Sequence, residues 1–285
     1  MASNTLVPSS LISCGDYTLN HKEKTLIMGI LNMTPDSFSD GGKYNQLEVA
    51  VKRAQQLVED GADIIDVGGE STRPGYTKIS DEEEIARVTP VIASIRDNVQ
   101  APISIDTYKS EVARCAVEAG AHIINDIWGA KADPKIAEVA ASYNVPIVLM
   151  HNRDESSYND LIPDMIKDLN ESIEIAKRAG VKDEQIILDP GIGFAKGFQQ
   201  NLEVMRNLHR FKVWGYPVLL GTSRKSMIGR VLDLPPEERA EGTAATVALG
   251  IEQGIEIMRV HDVLEISRFA KMMDVLVGKG DVNNR

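Results

Sequence analysis

Eight short apolar runs in this chain of 285 residues each end on side chains able to bind or polarise a ligand. They are Asn32, Asp66 with Glu70, Asp106, Asn125, His151, Asp189, Ser223 with Lys225, and Arg259 with His261. Carboxylates and carboxamides make directional hydrogen bonds, and a lysine amine supplies either a charge or a nucleophile. Arg259 and His261 lie two apart on the last run, so their side chains point the same way. A forked guanidinium beside an imidazole makes an anion clamp; the other reading pairs Arg259 with a nearby carboxylate such as Asp262. A single strand-end Asp is more often a structural cap, but several polar groups on converging strand ends argue for a site. One histidine closing an apolar run, as His151 does, is more often a hydrogen-bonded core residue than a metal ligand.

These groups can meet only if the elements carrying them converge. The runs, rich in Ile and Val, cover 26–32, 64–67, 103–106, 123–126, 147–151, 186–189, 218–221 and 257–261, which suits parallel strands buried on both faces. Amphipathic stretches separate them. Leu47, Val51, Ala54 and Val58 keep helical spacing before a C′ glycine, Gly61, and Ser80 with Glu83 makes a capping box ahead of Ile85, Val88, Ile92 and Ile95. Asp133 and Pro134 take the N-cap and N1 positions of another helix, and the stretch 161–179 ends at Gly180. A weak internal echo aligns Gly61-Ala62-Asp63-Ile64-Ile65-Asp66 with Gly120-Ala121-His122-Ile123-Ile124-Asn125, making Asp66 and Asn125 equivalent.

Eight βα units predict an α/β fold, a closed (β/α)8 TIM barrel whose strand ends share one rim. Residues 25–277 form that barrel, 1–24 a short N-terminal hairpin covering its floor, and 278–285 a C-terminal tail. An open doubly wound sheet would be favoured by GxGxxG or GxxxxGK[ST] after the first strand, and neither is there.

Composition narrows the function. With 43% apolar and 26% charged residues the chain is that of an ordinary globular protein. Its 42 acidic against 31 basic residues give a net charge of −11, which argues against nucleic acid or anionic lipid as a partner. Cys14 and Cys115, far apart, indicate neither a disulfide framework nor a zinc site. No secretory leader or spanning run of about 18 apolar residues is evident, so a cytoplasmic enzyme is expected.

Two rim loops mix turn residues with reactive ones: 32–42, carrying Phe38, and 68–75, carrying Thr72, Arg73 and Pro74. They could close over a ligand and exclude water. Together with 103–107, 124–126, 188–194, 221–226 and 259–262, these segments resemble the dihydropteroate synthase family of the folate pathway, over almost the whole chain. Met33 stands where the family often carries Val, an apolar neighbour outside the chemistry.

The resemblance implies a barrel that joins (7,8-dihydropterin-6-yl)methyl diphosphate to 4-aminobenzoate, releasing diphosphate by an SN1-like, Mg²⁺-assisted course. It implies a pterin-diphosphate site of Thr72, Asp106, Asn125, Asp189, Lys225, Arg259 and His261. An aminobenzoate pocket of Phe38, Arg73, Pro74, Phe194, Lys225 and Ser226 follows from it, as do Asn32 as the metal ligand and Arg73, Lys225, Arg259 and His261 as catalytic groups. A homodimer and competition by sulfonamide-type mimics are also implied. Rival readings are a methyltetrahydrofolate-type methyltransferase barrel, which would not release diphosphate, a Schiff-base lyase using Lys225, and a non-catalytic scaffold, which would have lost the polar strand ends.

Overall fold

The computed structural model describes residues 10–33, 43–70 and 78–280. An antiparallel hairpin, β1 (Leu11–Cys14) and β2 (Tyr17–Asn20), precedes eight parallel strands: β3 (Leu26–Asn32), β4 (Ile64–Gly68), β5 (Ile103–Asp106), β6 (Ile123–Asp126), β7 (Ile147–Met150), β8 (Ile186–Asp189), β9 (Leu219–Leu220) and β10 (Ile257–Val260). Their order is β8-β7-β6-β5-β4-β3-β10-β9. A parallel bridge between Leu188 and Val218, with Leu188 N donating to Pro217 O at 3.0 Å, joins the two ends, so the expected eight-stranded barrel closes.

Helices α1 (Lys43–Glu59), α2 (Asp81–Asn98), α3 (Ser110–Ala119), α4 (Lys135–Tyr143), α5 (Leu161–Arg178), α6 (Phe198–Arg206), α7 (Ser226–Leu232), α8 (Ala240–Glu252) and α9 (Val263–Leu276) surround the barrel. Several helix ends follow the sequence signals. Ser80 Oγ accepts from Glu83 N at 3.2 Å, but the reciprocal half of the capping box is not made, because the Glu83 carboxylate pairs with Arg87 one turn on. Asp133 and Pro134 act one position earlier than expected. The helix starts at Lys135, and the Asp133 carboxylate accepts from Lys135 N at 3.2 Å and from Ser110 N, at the start of α3, at 2.9 Å. Gly61 and Gly180 hold left-handed φ values of 108° and 98°, where a Cβ would be strained.

In a parallel sheet paired residues face the same side. The pairs Met28↔Ile64, Ile30↔Asp66, Asp66↔Ser104, Asp106↔Asn125, Val148↔Ile187 and Arg259↔Met28 therefore share the lumen. The alternate set, among them Ile65, Ile103, Ile105, Ile124, Ile147, Leu188 and Met258, packs outward under the helices.

Alternate strands stack the lumen in layers. At the N-terminal end β4, β6, β8 and β10 contribute Ile64, Ile123, Ile187 and Ile257, which join Leu26, Met28, Val148 and Leu219 and are covered by Ile12 and Cys14 of the hairpin. The hairpin thus seals the floor. Two residues further along, the same four strands present Asp66, Asn125, Asp189 and Arg259.

Candidate active site

This second layer is a network of buried charge. Arg259 spans two carboxylates: Nε donates to Asp66 Oδ2 and Nη2 to Asp106 Oδ2, each at 2.6 Å. Asp66 is fully buried and also accepts from Asn125 Nδ2 at 3.3 Å, so the two residues that the sequence echo aligned touch one another. Asp262 is not the partner of Arg259, because it is taken by Arg224 on the rim. Both carboxylates raise the Arg259 pKa against the effect of burial, so the guanidinium stays charged.

Asp106 and Asp189 sit in the opposite electrostatic situation. Burial pushes the Asp106 carboxyl up to about 7 although Arg259 opposes it, and Oδ1 has no hydrogen-bond partner. A buried acceptor left open is costly, which marks a place built to receive a donor. Burial likewise raises Asp189, opposed by the Gly191 N–H, which donates to Oδ1 at 2.6 Å, and by Lys225 and Arg259. Lys225 donates to Ile192 O and lies 4.4 Å from the Phe194 ring centroid, while burial lowers its amine to about 8. Ser226, the next residue, is exposed at the start of α7.

Along the rim, His261 lies one residue past β10 rather than on the strand, and Ser223 Oγ is 2.9 Å from its Nδ1 and accepts from its backbone N–H at 3.1 Å. Asn32 ends β3. Its Oδ1 and Asp106 Oδ2 lie 3.8 and 3.7 Å from where a Cβ on Gly68 would stand, so both oxygens border the space beside Gly68, Asp106 Oδ2 also accepting from Arg259. No cluster of three or more His, Cys, Asp or Glu able to hold a metal occurs among the described residues.

The structure thus gathers Asn32, Asp106, Asn125, Asp189, Phe194, Lys225, Ser226, Arg259 and His261 at one end of the barrel. Phe38, Thr72, Arg73 and Pro74 lie outside the described residues. Glu70 and Ile79, on either side of 71–77, meet. Glu70 Oε2 accepts from Ile79 N at 2.9 Å and from Lys109 Nζ at 2.9 Å, and Lys109 also reaches Glu84 Oε2 at 2.7 Å and Ile79 O at 2.8 Å. This staple brings the two ends of that segment together, and sequence reasoning gave Lys109 and Glu84 no role.

His151 is not in the lumen. Met150 pairs with Asp189 and faces inward, so the next side chain faces out, where Nε2 lies 3.0 Å from Asp168 Oδ2 on α5. Burial lowers its imidazole to about 4, so it is the neutral, hydrogen-bonded core residue expected of a lone histidine. Among the described residues, three non-glycine residues outside helix caps hold left-handed φ values: Ala130, Ala195 and Arg224, at 60°, 47° and 59°. Each sits in a loop leaving the rim, where such strain is characteristic of functional sites.

The family profile described as "Pterin binding enzyme" matches residues 28–261. The dihydropteroate synthase of Bacillus subtilis (strain 168) is 62% identical over 284 residues, covering 100% of both chains. That of Clostridium beijerinckii is 62% identical over 264 residues, 92% of this chain and 98% of its own. Among solved structures, a Clostridium difficile dihydropteroate synthase determined with pteroic acid superposes with a TM-score of 0.89 at 49% identity, over 90% of this chain and 98% of that one. The Xanthomonas albilineans enzyme with 4-aminobenzoic acid gives 0.89 at 39% identity, over 94% and 98%.

Proposed function

We propose how the rim works from the premise that the chain belongs to the pterin-binding enzyme family, among the dihydropteroate synthases. It is a transferase of folate biosynthesis, and its reaction joins (7,8-dihydropterin-6-yl)methyl diphosphate to 4-aminobenzoate. The observation that carries the residue roles is the open Asp106 Oδ1 beside a paired Arg259. The ring's amino-pyrimidinone edge supplies donors to Asp106 and Asp189 and acceptors to Asn125 and Lys225, and charge-assisted bonds in a dry lumen hold it firmly.

The diphosphate lies toward Thr72, Arg259 and His261. As the methylene carbon–oxygen bond breaks, its electron pair leaves with the diphosphate, and Arg259 and His261 hold the growing negative charge. The electron-rich dihydropterin delocalises the cation, giving the SN1-like course. The aminobenzoate nitrogen then forms the new bond and releases a proton. An aromatic amine is weakly basic, so it needs positioning more than deprotonation, and Phe38, Arg73, Pro74, Phe194, Lys225 and Ser226 supply that pocket.

Asn32 Oδ1 beside Asp106 suits a hard cation that takes few protein oxygens and completes its shell from the substrate. When bound there, Mg²⁺ would add positive charge against the leaving diphosphate. Sulfonamide-type mimics should compete with aminobenzoate. A cytoplasmic homodimer belongs to the same reading, supported by exposed apolar Val231 and Leu232 on α7 and by Met272 and Leu276 on α9. No described helix is long and apolar enough to cross a membrane.

A coupled assay of diphosphate release, with dihydropterin diphosphate, aminobenzoate and Mg²⁺ each omitted in turn, tests the reading. Turnover should need all three, and Asp189→Asn should raise the pterin-substrate KM about 10- to 100-fold, the value of one or two charged hydrogen bonds. Unchanged kinetics in that variant would reject the pterin assignment.

A further inference from the structure

The loop from Asp189 to α6 carries much of the site, and what holds it lies on its far side. Lys196 Nζ donates to three acceptors: Gly191 O at 2.9 Å, Phe194 O at 2.8 Å and His151 Nδ1 at 3.1 Å. An ammonium has three N–H donors and no lone pair, so this arrangement satisfies it fully. It also fixes the imidazole tautomer. Nδ1 is the bare nitrogen and Nε2–H donates to Asp168, whose Oδ2 also accepts from Arg153 Nε at 2.5 Å. Burial alone would raise Asp168, but the bonds from His151 and Arg153 hold it below the usual carboxylate range.

The loop turns around that ammonium. Gly191, Gly193 and Ala195 take left-handed φ values, Gly193 N donates to Asn201 Oδ1 at 2.7 Å, and Tyr158 Oη donates to Ala195 O at 2.9 Å. A Cβ on Gly191 would stand 2.1 Å from His151 O, so the loop and the end of β7 are in direct backbone contact. On its inner side the same loop offers Ile192 O to Lys225 and sets Phe194 beneath the Lys225 amine. Asp106 and Asn125, by contrast, sit on strands away from the loop, and Asp189, at the end of β8, meets it through the Gly191 N–H.

We propose that Lys196, backed by His151 and Asp168, is a positioning residue for the aminobenzoate subsite: it sets the path of the 190–197 loop and through it the placement of Phe194 and Lys225. This rests on the roles given to those two residues above. It affects the two substrates unequally, because Asp106, Asn125 and Asp189 of the pterin site are strand-borne and Lys225 is shared by both sites, whereas Phe194 belongs to the aminobenzoate pocket and lies on the loop itself. Burial also lowers the Lys196 amine to about 7, opposed by the Asp189 and Asp168 carboxylates.

Steady-state kinetics on the full-length protein, with active sites counted by titration, test the idea. Lys196→Met should raise the aminobenzoate KM about 10- to 100-fold, the value of a lost charged hydrogen bond or two. The pterin-diphosphate KM should rise several-fold less than that of aminobenzoate, because that site meets the loop only through Lys225 and the Gly191 N–H, and the active fraction should be unchanged. Lys196→Arg should not restore capture, because a planar fork cannot direct donors to three acceptors set around one nitrogen. His151→Phe should show a smaller rise of the same kind, and His151→Gln, which keeps an acceptor and a donor, should recover most of it. An unchanged aminobenzoate KM in both Lys196→Met and His151→Phe overturns the proposal, as does equal weakening of both substrates. Failure of the parent protein to release diphosphate would overturn the reading of the site instead.

Discussion

Ile64, Ile123, Ile187 and Ile257 close the barrel floor, and Asp66, Asn125, Asp189 and Arg259 stand two residues further along the same four strands. The backbone, the burial and the direction of the side chains are shared; only the chemistry changes. The apolar layer gains from leaving water. The polar layer loses by it, which is why Asp189 and Asp106 are raised and why Asp106 Oδ1 stands open. One layer stabilises the fold and the other holds tension that a ligand can relieve, so changes in the two should have opposite signatures.

The largest expected effect lies in the polar layer. Arg259→Lys keeps the charge but loses the fork that spans Asp66 and Asp106, so kcat/KM should fall about 100-fold with only a small change in Tm. A fall in Tm with kcat/KM intact would erase the distinction between the layers. Two residues below a polar neighbour, Ile187→Ala should do the reverse, costing about 2–5 kcal/mol of stability in denaturant melts while leaving the kinetics of the folded enzyme unaltered.

The smallest effect concerns pH. Asp106 has a folded pKa of about 7 against about 4 for an unfolded Asp, so the folded state keeps a proton that the unfolded state releases between those values. That contribution to stability is complete below about pH 4 and is lost as pH rises through about 7. Asp106→Asn cannot titrate, so its Tm without ligand should gain on the parent's as pH rises across that window. Parallel Tm curves from pH 4 to 8 would show that the polar layer is not under tension.

Much of this was legible in the sequence because it is local. Runs such as Ile103-Ser104-Ile105-Asp106 declare a strand buried on both faces and a polar end, and Ser80 and Gly61 mark helix termini. What escaped is long-range or a matter of phase. Arg259 and Asp66 are 193 residues apart, so nothing in the sequence announces their bond. Lys109 and Lys196 look like ordinary solvated lysines until three acceptors surround each. His151 closes an apolar run like the other strand ends, yet sits one residue out of phase with Met150, and period two then sends it to the outer face.

The hairpin seal has a consequence for how the molecule comes to be made. Ile12 and Cys14 leave the ribosome ahead of all eight barrel strands, but the surface they cover is assembled from strands as late as β10, so a segment made before the barrel is among the last to find its full set of neighbours. Contacts of such sequence separation form slowly. Until Ile257 arrives, the nascent chain carries an unsatisfied apolar hairpin, and its protection in the cell is a question of translation time as much as of stability.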